Sequence, residues 1–207
     1  MRALMLLLST LFLPTALYAV EEPDFAVVAA TEAFEIRRYA PYIVAETDVD
    51  ASFDGAGNRG FRVLASYIFG ENTSRASIDM TAPVTQRASE RIAMTAPVLQ
   101  RADSGEASQR WIIGFVMPAE HTLESLPEPV NEEIMMREVP ARLVAVRRYN
   151  GRWTEARFRE HEQALREALA ESAWRMVGDV EYARYDPPFK PWFLRRNEVM
   201  AEVVRAD

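Results

Sequence analysis

Two heptapeptides, IDMTAPV at residues 78–84 and IAMTAPV at residues 92–98, agree at six of seven positions at an offset of 14. Each carries a proline, Pro83 and Pro97, within otherwise strand-forming residues. Proline has no amide proton to give to a ladder, so both segments are expected at the rim of a sheet, as edge or bulged strands, and not at its centre. A rim built twice from one template points to a fold made of related halves.

A longer repeat lies beneath the short one. Val44-Ala45 sits in a strand-like stretch followed by a turn and a helical pattern with Phe61 near its start. Val144-Ala145 is followed in the same way by Phe158, at offsets of 100 and 97. Between these landmarks, residues 34–39 and 42–49 read as a hairpin or paired strands turning at Ala40-Pro41. Residues 54–58 read as a turn, and the helix of residues 59–69 places Phe61, Leu64, Ala65 and Ile68 inward and stops at Gly70. Residues 111–117, 134–139, 141–149 and 197–204 read as strands, with long proline-bearing loops at 118–130 and from Tyr182 onward. The helix of residues 154–170 has Thr154 as N-cap and directs Phe158, His161, Leu165, Ala168 and Leu169 to the core. Neither half can bury its sheet face alone, so the expectation is one α+β domain over residues 20–207.

Residues 1–19 are set apart from that domain. A basic start at Arg2, an apolar stretch over 3–13, Pro14 and then Ala16-Leu17-Tyr18-Ala19 describe a secretory signal peptide cleaved after Ala19. The apolar stretch is short for the roughly 20 residues of a bilayer crossing, and Pro14 interrupts it. An uncleaved anchor is the alternative; the expected destination is the periplasm, with no stable membrane span in the mature form.

Composition removes several chemistries. The chain has no cysteine, which excludes disulfides, a thiolate nucleophile and Cys-ligated metal. A net charge of −7 argues against broad nucleic-acid binding. Lys190 is the only lysine among 24 basic residues; the rest are arginine, which suits bidentate carboxylate binding.

The segments FEIRRYAPYIVAET, GFRVLASYIFGENTS, the two MTAPV copies, WIIGFVMPAE, REVPARLVAVRRYNG and YDPPFKPWFLRRNEV resemble the SOUL haem-binding protein family over residues 32–204. The resemblance implies a distorted antiparallel β-barrel flanked by two helices and built from two pseudo-symmetric repeats, related to bacterial effector-binding domains. It further implies that haem or a related tetrapyrrole, such as a metal-free porphyrin, is held in an apolar groove near the first helix and the late loop, by a carrier or buffer and not by an enzyme.

A porphyrin is flat and apolar with two propionates at one edge, so its site needs aromatic or aliphatic walls and one or two cations. In the late loop Tyr185, Pro188, Phe189, Lys190, Trp192 and Arg195 supply both kinds of group. On the first helix Arg59, Arg62, Val63 and Ser66 form a stripe offset from the apolar one. Some family members carry a haem-ligating histidine near the second strand; residues 34–52 contain none. His161 falls on an apolar stripe, His121 in a surface loop, and Met80, Met94, Met117, Met135 and Met136 read as core filling. The expectation is binding without a strong axial ligand and no metal site formed by side chains.

The alternative is a hydrolase or other small-molecule enzyme on the same effector-binding fold. No serine sits in a nucleophile-elbow pattern, and the spacing of Glu35, Glu46, Glu138 and Glu198 singles out no acid–base pair. Glu198 in RRNE equally suits an ion pair with Arg195 or Arg196. No residue is therefore assigned a catalytic role.

Overall fold

Strand register, more than turn chemistry, organises this chain. A computed structural model describes residues 20–74, 89–103 and 110–206. The expected leader and the first heptapeptide, residues 78–84, lie outside the described residues. In order, the elements are β1 (Phe25–Ala30), β2 (Glu35–Tyr39), β3 (Tyr42–Asp50), α1 (Phe53–Ile68), β4 (Asn72–Thr73), β5 (Val98–Ala102), β6 (Arg110–Val116), β7 (Glu128–Pro129), β8 (Ile134–Val139), β9 (Arg142–Asn150), α2 (Glu155–Ala170), β10 (Trp174–Arg184), a 3-10 turn (Trp192–Leu194) and β11 (Arg196–Arg205). Nine strands form one antiparallel sheet in the order β1-β2-β9-β11-β10-β5-β6-β3-β8, and β4 pairs with β7 apart from it.

The fold is α+β with two α-helices among the described residues, as expected. The strand order ends in β1 and β8 and is not closed into a barrel. From β2 to β8 it maps onto itself when β2, β3, β5 and β6 are exchanged with β8, β9, β10 and β11, a correspondence of order and pairing.

The expected hairpin at Ala40-Pro41 does not form. Glu35 pairs with Val146 and Tyr39 with Arg142, then Tyr42 with Val139 and Thr47 with Ile134. These pairs lie in one register, so β2 and β3 act as a single strand running along β8 and β9, interrupted where Pro41 stands near Pro140. Ala-Pro offers no residue at positive φ for a tight reversal, and proline removes only a ladder donor.

Alternation decides which face each residue serves. Val44 and Val144 enter a cluster with Leu99, Val116, Val146 and Met200 on one face of the sheet. Ala45 and Ala145 belong to the larger cluster beneath the helices, with Phe53, Leu64, Tyr67, Phe158 and Leu165. The two Val-Ala pairs thus occupy matching places.

Helix α2 begins at Glu155, and the Thr154 hydroxyl accepts from the Arg157 amide at 3.4 Å. Phe158, Leu165 and Leu169 are buried. Helix α1 starts at Phe53, six residues before the expected boundary. Gly55 and Gly57, which read as a turn, are inside it, and the sheet leaves no room for side chains on this helix face: a Cβ at Gly57 would lie 2.5 Å from Arg184 Nη1 and one at Gly60 2.4 Å from Ile113 Cγ1. Tertiary contact here overrides glycine's poor helix propensity. Gly70 follows the helix at φ +120°, the left-handed stop expected of it.

Phe61 corrects a further expectation. It is 37 % exposed and meets Phe115 edge-on at 5.3 Å, while the α1 aromatic that meets Phe158 is the buried Phe53, at 5.4 Å. The second heptapeptide also departs from the rim-strand expectation. Residues 92–97 form no strand, and β5 begins only at Val98, in the interior of the sheet. Pro97 cannot pair, and isolated bonds hold the segment: Ile92 N–H to Ile68 O, Ala96 N–H to Glu21 O, and the Thr95 hydroxyl to Val116 O.

Candidate functional site

A groove of about 530 Å³ opens where the start of α1, the β9–α2 junction, the end of β10 and the late loop meet. The indoles of Trp153 and Trp192 supply its apolar walls, and Asp54 and Asn58 line it from α1. Its cations are Arg152, Arg184 and Arg195.

Arg184 is the most unusual of them. Its guanidinium lies 5.5 Å from the Phe53 ring, 5.7 Å from Trp153 and 5.7 Å from Phe158, measured to ring centroids. Nη2 donates to Gln100 Oε1 at 2.7 Å, and the Gln100 amide in turn donates to Phe53 O at 3.0 Å. No carboxylate stands within ion-pair distance of it among the described residues, and Nε is buried with no partner. Burial pushes its pKa down to about 10, against the weaker opposing influence of Asp54. Aromatic faces thus hold a cation that lacks a counter-ion. Space for it exists only because residue 57 is glycine: a Cβ there would lie 2.5 Å from Arg184 Nη1.

Arg195 and Arg152 frame the mouth. Arg195 stacks over Trp153 at 4.4 Å, donates from Nε to Lys190 O at 2.7 Å and from Nη2 to Pro188 O. Arg152 lies over the Trp192 ring at 5.1 Å.

Of the residues expected from the sequence, Trp192 and Arg195 line the groove. Arg62 is exposed one turn beyond Asn58, on the row that Asp54 and Asn58 begin, since side chains four apart share a helix face. Arg59 is exposed beside that row; Val63 and Ser66 are half-buried further along, and the Ser66 hydroxyl donates to Val63 O. Phe189 and Pro188 are exposed on the loop outside the groove, and Lys190 pairs with Asp186 at 2.6 Å. Tyr185 is not brought to the groove: its hydroxyl donates to Glu198 Oε2 at 2.7 Å. Sequence reasoning missed Arg184, Trp153, Arg152 and Gly57. The available signal was YARYDPP, where an arginine precedes the loop at a strand position whose neighbours alternate.

The buried carboxylates are committed elsewhere. Glu198 also accepts from Arg37 Nη1 at 2.9 Å and from Arg196 Nη2 at 2.9 Å. Burial alone would raise its pKa; the bonds from Arg37, Tyr185 and Arg196 hold it below the usual carboxylate range. Glu46 is likewise clamped by Arg137 at 2.8 Å and Arg101 at 3.3 Å, and Glu181 by Arg142 at 2.9 Å. Of the two histidines, His161 stacks on Tyr149 at 3.7 Å and accepts from Arg147 Nε at 3.3 Å. Burial and the charges of Arg147 and Arg157 lower its pKa below the ordinary histidine value. His121 lies in a separate cavity of about 300 Å³ lined by Glu21, Glu22, Asp24 and Glu138, whose carboxylates would repel a propionate.

Residues 20–202 match the family described as SOUL heme-binding protein. The chain belongs to the SOUL heme-binding family. Heme-binding protein 2 of Homo sapiens is 28 % identical to this SOUL protein over 179 residues, covering 82 % of this chain and 81 % of the human one; that of Mus musculus is 27 % identical with the same coverage. The C-terminal domain of EcmrR has a TM-score of 0.56 at 9 % identity, covering 83 % of this chain and 96 % of that one. A hydrolase from Listeria innocua has a TM-score of 0.58 at 11 % identity, covering 86 % and 94 %. At such identities the likeness is one of fold, and it places the SOUL chain among effector-binding-domain-like architectures.

Proposed function

We propose that this SOUL-family chain is a non-catalytic carrier or buffer of haem or a metal-free porphyrin, bound in the Trp153–Trp192 groove. The observation that carries the reading is Arg184, a largely buried cation without a carboxylate partner among the described residues, at the end of a groove walled by two indoles. A buried charge is costly until paired, so a ligand bringing an anionic edge to Arg184 gains what the protein leaves unsatisfied. A propionate meets that requirement, the two indoles suit a flat ring, and the volume is within the usual range of about 300–1,000 Å³ for small-molecule sites. Arg195, Arg152 and Arg62 are placed for the second propionate.

A bound haem brings its own iron chemistry; the lining supplies contact and charge. None of the groove-lining residues is His, Met or Tyr, so the reading entails binding without an axial ligand from the lining, of modest affinity and with little preference for the metal. The non-catalytic part is supported by the arginines that occupy Glu46, Glu181 and Glu198, leaving no buried carboxylate among these free to move a proton. Export to the periplasm with cleavage after Ala19 belongs to the same reading. Glu21 and Glu22, second and third in the processed chain, already bond the Ala119 amide at 2.7 Å and Arg196 at 2.7 Å.

The test is an absorbance titration with haem and with protoporphyrin. Equal affinity for both, and weaker binding of both to Arg184→Met, is the expected result. Haem bound far more tightly than protoporphyrin, or Arg184→Met indistinguishable from the parent, overturns it. N-terminal sequencing that returns Met1 would overturn cleavage alone.

A further inference from the structure

We infer that the late loop is a docking surface for an anionic lipid bilayer. Phe189 is 87 % exposed, and Trp192, Phe193 and Leu194 on the 3-10 turn are 48, 55 and 53 % exposed, so four large apolar side chains within six residues face outward together. The polar groups of the same loop face inward. Asp186 accepts from Lys190 Nζ and from the Arg196 amide, both at 2.6 Å; Arg195 donates to the carbonyls of Lys190 and Pro188; and the Leu194 amide closes on Pro191 O at 2.9 Å. With Pro187, Pro188 and Pro191 restricting the backbone, the apolar side chains are presented by a braced loop. This inverts the ordinary arrangement of a surface loop.

Charge selects the occupant. The chain as a whole is acidic, at −7, yet Arg152 and Arg195 beside the aromatic cluster have no carboxylate partner among the described residues. Arg152 over the Trp192 indole pairs a cation with an amphipathic ring, the combination that suits the level of lipid headgroups. An anionic surface is therefore attracted at this loop and repelled by the chain's overall charge, while exposed Phe and Leu side chains add insertion at the acyl boundary. The contact is superficial, since no helix among the described residues is long and apolar enough to cross a membrane. It shares Trp192, Arg152 and Arg195 with the groove, but its test uses vesicles without porphyrin, so its failure and that of the ligand reading are distinguishable.

The experiment mixes the full chain with vesicles of acyl-brominated phosphatidylglycerol and follows tryptophan fluorescence. Quenching that is lost in Trp192→Phe is expected. The triple variant Phe189→Ser, Phe193→Ser, Leu194→Ser should need about tenfold more lipid or beyond for half-maximal quenching, phosphatidylcholine vesicles should quench weakly, and added salt should weaken the anionic case. Far-UV circular dichroism and the urea midpoint report whether the triple variant is folded; if it is not, Phe189→Ser alone replaces it and should still raise the lipid requirement. Equal quenching in Trp192→Phe, an unchanged lipid requirement in the serine variants, or a concentration-dependent dimer that the serine variants abolish while vesicles remain unbound each overturns the inference; the last would assign the loop to a protein partner.

Discussion

Replacing Gly57 by alanine tests the groove with a single methyl group. The new Cβ would lie 2.5 Å from Arg184 Nη1, 3.1 Å from Nη2 and 3.1 Å from Gln100 Oε1, so the guanidinium must move. It is the far end of a flexible side chain and can do so by abandoning its bond to Gln100. Losing a hydrogen bond of that charged kind costs about 1.5–3 kcal/mol, while alanine in a helix interior recovers about 1 kcal/mol over glycine. The net loss of stability is then about 0.5–2 kcal/mol, too little to unfold the protein. Gly60→Ala is the control. Its Cβ would meet Ile113 Cγ1, Cβ and Cγ2 at 2.4, 2.5 and 2.9 Å, atoms rooted in the β6 backbone that cannot retreat. Overpacking of about 1–3 kcal/mol or more is expected there even after the gain in propensity. Urea denaturation followed by circular dichroism ranks the two variants, and absorbance titration with haem and protoporphyrin ranks their sites. Gly57→Ala should be the milder variant by stability and the more damaged one by ligand affinity. If Gly57→Ala binds both ligands as well as the parent while its stability shifts as expected, Arg184 is not the anion's partner and the reasoning fails.

Other outcomes follow from particular contacts. Leu165→Ala, at a fully buried site, should lose about 2–5 kcal/mol, whereas half-exposed Phe61→Ala should lose distinctly less; similar losses in urea unfolding would contradict the burial difference. Glu198→Gln removes the buried counter-charge of Arg37, leaving it only the more exposed Glu35 at 2.8 Å, and should cost up to about 3 kcal/mol. Because the Glu198 carboxyl is held below its ordinary value of 4.5, its contribution is complete above that pH and disappears as pH falls through the lower folded value. The acid limb of the parent's stability profile should therefore flatten in Glu198→Gln, and an unchanged limb would contradict this. His121→Ala and His161→Ala should leave the haem Soret band in place; a large shift in either would identify an axial ligand.

What the sequence made legible was whatever depends on local period. The strands β6, β8, β9 and β11 appear within a residue of the boundaries expected from alternation, and α2 begins where Thr154 caps it. Features that depend on distant chain were not legible. Gly55 and Gly57 read as turn residues because nothing nearby in the sequence shows that the helix begins at Phe53 or that Arg184 will press on it at Gly57. Arg184 itself resembles any solvated arginine until Phe53 on α1 and Trp153 and Phe158 at the start of α2, two distant regions of the chain, close around it. The strand β1 was missed for another reason: FAVVAA is apolar throughout and has no alternation to mark it as a strand. Of the candidate site, the loop's Trp192 and Arg195 could be read from composition alone, since aromatic and basic residues are concentrated there; Tyr185 could not, because only the fold places it beside Glu198.

The shared register of β2 and β3 with β8 and β9 also dictates when this protein can acquire its structure. Residue 35 pairs with residue 146 and residue 47 with residue 134, so strands made early in synthesis wait for partners made far later. Chains dominated by such remote pairings fold slowly, because loop closure must precede the contacts that reward it. The N-terminal half emerges as an incomplete sheet with an unpaired edge, and it stays uncommitted until residue 146 is available. The topology itself thus postpones folding until the second half of the chain has followed the first.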